Sequence, residues 1–188
     1  MPSRALVRYG TLARGELDEV ERTYLTAGIT GAGRRQVARA YVVLLASSFQ
    51  RFCRELHGEC IDHMAAEPLL GAFGAVVRRR LTEGRKLDAG NPTPGNIGSD
   101  FGRFGITFWD DVRRASPGNA GRQQLLDALM RWRNAFAHQD FANPALRGRS
   151  GVRLGEIRVW RRACDVLAAD FDGVMRSYLR ALTGMAPW

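Results

Sequence analysis

Residues 34–64, RRQVARAYVVLLASSFQRFCRELHGECIDHM, decide the fold class. Val42, Leu45, Phe49, Phe52, Leu56, Cys60 and His63 recur at intervals of three and four, which draws one apolar stripe along an α-helix. The stretch therefore predicts a long central helix from about Arg34 to Met64. No part of the chain alternates convincingly with period two, so strands are not expected.

Outward from that helix the same spacing continues. On the N-terminal side, residues Leu12 to Leu25 predict a first helix, ended by the breaker Gly28-Ile29-Thr30-Gly31-Ala32-Gly33. On the C-terminal side, Glu67-Pro68 marks a new start, because proline is tolerated in a first helical turn, and Phe73, Val77 and Leu81 carry a third helix to about Arg85. Asp88 to Ser99, with two prolines and three glycines, reads as a loop. Thr107-Phe108-Trp109-Asp110 resembles a capping box and starts a short helix to Arg114, followed by the turn Ser116-Pro117-Gly118-Asn119. A helix from about Arg122 to His138 or Gln139 comes next, then a loop from Asn143-Pro144 to Ser150-Gly151. A last helix spans about Gly155 to Leu182 on the stripe Trp160, Cys164, Leu167, Phe171, Val174, Tyr178 and Leu182. The expected fold is all-α: a single domain over residues 1–188, a bundle of about five to six helices with its core at about 34–182.

Composition agrees with one packed domain. Apolar residues make up 45% and charged residues 25% of the 188, the balance of a globular chain rather than a disordered one. No apolar run approaches the roughly 20 residues of a membrane span, and no signal-type apolar stretch follows Met1-Pro2-Ser3-Arg4. The three cysteines, Cys53, Cys60 and Cys164, do not suggest a disulfide framework, so a cytoplasmic setting is expected. The net charge of +9 favours polyanionic partners such as RNA, and nearly all of it is arginine, Lys86 being the one lysine.

Imidazole chemistry can come only from His57, His63 or His138. Cys53, His57, Cys60 and His63 have the residue types of a zinc site, but on one helix they stretch over about 15 Å, too far to close a tetrahedron. Two of them also continue the apolar stripe, so core packing is expected and no metal or other cofactor. His138 lies in Arg133-Asn134-Ala135-Phe136-Ala137-His138. An Arg-Asn pair at that fixed distance before a histidine is expected by chance in about one such sequence in a hundred. On the helix Leu125, Leu129, Trp132 and Phe136 form the expected core stripe. Asn134 and His138, four apart, share roughly the opposite side, with Arg133 between the faces. Leu126, Met130 and Ala137 are expected to flank that side with apolar area for docking.

The Arg-Asn-x-x-x-His signature, late in a basic helical domain, resembles the HEPN superfamily, in particular its RiboL-PSP-like branch. The resemblance implies a bundle that pairs two motif helices across a two-fold axis and cleaves RNA without a metal, in toxin–antitoxin or antiphage settings where an antitoxin protein is a further partner. It also covers non-catalytic members that bind RNA or a protein. Relatives often carry a small residue after the histidine, where this chain has Gln139. The residue chemistry fits: cleavage by the RNA's own 2′-hydroxyl needs a base, an acid and positive charge at the phosphorane. His138 can serve as either proton carrier, Arg133 can hold phosphate through paired donors, and Asn134 can orient His138 or the phosphate. A symmetric homodimer through the motif helix brings two histidines together. A helical adaptor that docks by its last helix is the reading from another class. Nucleotide-binding, zincin and hydrolase-elbow motifs are absent from the sequence.

Overall fold

The computed structural model describes residues 1–66, 71 and 73–188, and among them every regular element is helical. The chain runs α1 (Arg4–Arg8), a π-helical turn (Tyr9–Ala13), α2 (Arg14–Leu25), α3 (Gly31–Ala65) and α4 (Phe73–Thr82). It continues through α5 (Lys86–Ala89), α6 (Pro94–Phe101), α7 (Phe108–Ala115), α8 (Asn119–His138) and α9 (Leu154–Thr183). The expected all-α bundle with a long central helix is what the chain forms, with more short helices than expected. No helix among the described residues is long and apolar enough to cross a membrane.

The central α3 packs against α1, α2, α4, α8 and α9, and α8 in turn lies against both α3 and α9. Its predicted stripe from Val42 to Cys60 is buried throughout. Thr30 starts the helix, its hydroxyl accepting the N–H of Gly33. A guanidinium network closes the flank: Arg161 on α9 donates to the Tyr41 hydroxyl at 3.0 Å and to Asp18 at 2.6 Å, and Tyr41 donates to Glu21 at 2.9 Å. Burial is the main cause that pushes the Tyr41 phenol up to about 12.

Four expectations are corrected. The N-terminal helix begins at Arg4 rather than Leu12, because the Ser3 hydroxyl caps it by accepting the N–H of Leu6. The segment taken as a loop from Asp88 holds α6, where Thr93 accepts the N–H of Asn96 and Pro94 occupies the first turn, a start signal hidden among turn-forming residues. Gly98 faces the indole of Trp109, which a Cβ there would meet at 2.9 Å, so this glycine serves close packing rather than a turn. At α7 the Thr107 side chain makes no capping bond; its carbonyl instead accepts the N–H of Asp110 at 2.8 Å. Phe73, the first of the three apolar residues whose spacing carried the third helix, is 72% exposed rather than packed, and the expected start at Glu67-Pro68 lies outside the described residues.

The last helix keeps its expected span, but its buried stripe changes phase. Trp160, Cys164, Leu167 and Phe171 are buried, after which Met175 and Leu179 replace Val174, Tyr178 and Leu182. A strict seven-residue pattern drifts by about 20° per heptad on a straight helix, so the neighbouring column turns inward.

Candidate functional site

α8 ends at His138, and the next residue, Gln139, takes the left-handed conformation (φ 53°). The N–H groups of Gln139 and Asp140 both return to the Ala135 carbonyl, which closes the helix sharply after the histidine. Because α8 packs between α3 and α9 its buried face is broad, including Leu126, Leu129, Met130, Trp132 and Ala135. The face expected for docking is corrected accordingly: Leu126 and Met130 belong to the chain's own core, while Leu125 and Phe136 are half-buried. Two neighbouring helices claim a wider arc than one apolar stripe predicts.

Arg133 and Asn134 lie at the border of that arc, both half-buried, and His138 is exposed one turn further on. The Oδ1 of Asn134 accepts from Arg133 Nη1 at 3.3 Å and from the side-chain amide of Asn91. Asn91 sits in the turn between α5 and α6 and did not stand out in the sequence, which offers no short-range signal for a partner 43 residues away. Of the two roles expected for Asn134, orienting His138 or orienting the phosphate, the first has no hydrogen bond behind it among the described residues: the Asn134 oxygen is turned to Asn91 and Arg133. The His138 ring makes no hydrogen bond among the described residues. Asp140, the nearest carboxylate in sequence, accepts the N–H of Ala142 at 2.9 Å.

An open groove of about 650 Å³ adjoins the site. Thr93, Pro94 and Gly95 form one wall, and Gln123, Asp127 and Arg131 of α8 form the other. At 100° per residue Arg131, Asn134 and His138 fall on the same side of the helix, so the groove and the motif share one face. The Asn91–Asn134 contact joins the two walls where the groove meets the motif.

Several arginines are paired within the bundle: Arg78 with Asp62, Arg79 with Glu83, and Arg161 with Asp18 and Glu21. Twelve arginines make no ion pair among the described residues; Arg39, Arg133, Arg147 and Arg153 are the four of them that lie on or near the C-terminal half of α8 and the segment after it, the others being Arg34, Arg35, Arg51, Arg80, Arg122, Arg162, Arg176 and Arg180 on several helices. Arg39, on α3, lies 5.6 Å from the ring centre of Phe136 and 5.8 Å from that of Phe141. Arg149 lies 5.4 Å from the ring centre of Trp132, although it also pairs with Glu156. Guanidinium groups and the half-buried rings of Phe136 and Phe141 thus gather around the C-terminal end of α8, a composition suited to phosphate and base contacts.

The other histidines are structural. His57 is fully buried, places Nε2 3.0 Å from the Asp100 carbonyl, and packs on Phe101 and Phe104. Burial pulls its pKa down to about 4. His63 Nε2 lies 3.1 Å from the Thr183 hydroxyl, and Cys53 and Cys60 are buried thiols whose pKa values burial raises. Compared with known proteins, the chain matches no family model, no curated protein and no solved structure.

Proposed function

We propose that this chain is a metal-independent endoribonuclease of the HEPN type, acting as a toxin or antiphage effector. One observation carries the reading: Arg133, free of any acidic partner among the described residues, is bonded to Asn134 on the rim of α8 one turn before an exposed His138. In the proposed reaction a base removes the proton of an RNA 2′-hydroxyl, whose oxygen attacks the adjacent phosphorus. The P–O5′ bond breaks, and an acid protonates the departing 5′-oxygen. The products are a 2′,3′-cyclic phosphate and a 5′-hydroxyl. Arg133 stabilises the phosphorane, and His138 with its copy in a symmetric dimer supplies base and acid. The groove beside Arg131 offers a path for the flanking strand.

A second reading, a non-catalytic RNA-binding module, is favoured by the His138 ring having no hydrogen-bond partner among the described residues of one chain. Incubation with total RNA in EDTA separates the two. Under the nuclease reading cyclic-phosphate ends accumulate, His138→Ala lowers the rate about a hundredfold or more, and RNA with methylated 2′-hydroxyls is left intact. Cleavage that EDTA abolishes, or that survives His138→Ala, overturns the nuclease reading. RNA binding without cleavage establishes the second.

A further inference from the structure

Asn91 belongs to a turn whose backbone is fixed without help from its side chain. Gln50 Nε2 donates to the carbonyls of Leu87 and Gly90, both at 2.8 Å, and Asn96 Nδ2 donates to the Asn91 carbonyl at 2.8 Å. The buried carboxylate of Asp100 accepts the N–H groups of Lys86 and Leu87 at 2.9 and 2.8 Å, and the Asp100 carbonyl faces His57. Acceptors at residues 87, 90 and 91 are main-chain oxygens, so they persist whatever side chain residue 91 carries. The core therefore delivers the Asn91 amide to a set position, where it donates to Asn134 Oδ1.

That oxygen also receives Arg133 Nη1. With both donors on Oδ1, the Asn134 amide is held with its NH2 group turned away from them, and the guanidinium is tethered by one nitrogen while its other donors stay free for phosphate. We propose that Asn91 is a positioning residue of the site: through Asn134 Oδ1 it sets where the Arg133 guanidinium stands and which edge of the Asn134 amide meets the substrate. The proposal rests on the ribonuclease reading above. It adds a residue from outside the motif helix and explains why Asn134 does not turn toward His138.

The test measures kcat and KM on a single-stranded RNA oligonucleotide for Asn91→Ala, Asn91→Asp and Asn91→His, with thermal unfolding as the control for folding. Aspartate is nearly isosteric and can keep a bridge, because the Asn134 amide can turn over and donate to it. In doing so it withdraws the oxygen from Arg133 and sets a carboxylate beside the guanidinium. A bridge that only supports the fold tolerates this change; a positioning contact does not. Small misplacements at a reacting centre cost up to about a hundredfold, so kcat should fall on the order of ten- to a hundredfold for Ala and Asp, with KM within about threefold. His, which places a ring N–H near the position of the lost amide nitrogen, should recover part of kcat. Folded Asn91→Asp with the wild-type kcat, or Asn91→His no better than Asn91→Ala, overturns the proposal. If the wild type cleaves and His138→Ala does not while all three Asn91 variants are fully active, only the positioning role fails. A wild type that cleaves nothing removes the underlying reading as well.

Discussion

His57 shows how a residue with catalytic chemistry is converted to a structural one. Its Nε2 meets the Asp100 carbonyl and its Nδ1 is buried with no partner among the described residues, so the neutral form fits and a second proton does not. The folded state holds the ring neutral down to about 4, whereas an unfolded chain takes up the proton near 6.5. A depressed folded pKa means that the contribution is present above the unfolded value and lost as pH falls from about 6.5 toward 4, on the order of 3 kcal/mol in all. Asp88 and Glu156, whose pKa values are lowered chiefly by hydrogen bonds from Arg85 and Arg149, act lower on the pH scale with the same sign. Urea midpoints between pH 7 and 4.5 should therefore fall for the wild type and fall less for His57→Leu, whose stability at pH 7 is lower by about 1–3 kcal/mol from the orphaned Asp100 carbonyl. Equal slopes for the two proteins would show that His57 does not set the acid limb. The stripe that includes Cys60 already marked this face of the helix as core, but not the carbonyl that occupies His57.

Helix ends and helix faces decide how the elements are used. Ala5, Tyr9, Ala13 and Leu17 are all buried at a four-residue spacing, which in pure α-helix rotates by about 40° per step away from the core. The π turn at Tyr9–Ala13 winds more slowly and brings the column back under the bundle. At the other end of the chain's chemistry, Gln139 holds the left-handed position that closes α8, a conformation that costs a side chain about 1–2 kcal/mol relative to glycine. Replacing Gln139 by glycine should stabilise the protein by about 0.5–1 kcal/mol, since the relief of strain is partly offset by the greater freedom of glycine when unfolded. A chemical denaturation curve checks the sign. A destabilised Gln139→Gly would mean that the side chain contributes more than its backbone strain removes.

At the scale of the whole molecule, the unpaired arginines around the end of α8 and the single motif histidine per chain lead to linked expectations. RNA affinity should fall steeply with salt, each neutralised phosphate adding about 0.7 to the log–log slope for a single strand. Arg39→Ala should flatten the slope by roughly that amount, and a slope that does not change would remove Arg39 from the interface. Light scattering at micromolar concentration should give a dimer, and mixed dimers of wild type and His138→Ala should be strongly impaired. The apolar support for that dimer is smaller than the sequence suggested, because Leu126 and Met130 are spent on the core and only Ala137 of the expected flank is exposed. A strict monomer with full activity would place both proton transfers within one chain.

The sequence by itself determined the all-α class, the body of α3 though not its first turn at Gly31–Gly33, the end of α8 at His138 and the extent of α9, because periodicity and breakers act within a few turns of one helix. It also marked Arg133, Asn134 and His138, since the motif is contiguous. Tertiary structure alone decided which columns of α8 and α9 are buried, because that depends on how many neighbours each helix meets and on phase drift along its length. It alone brought Asn91 to Asn134: a hydrogen bond between residues 43 apart in sequence arises from where Gln50 and Asp100 anchor the turn, and no local pattern encodes that meeting.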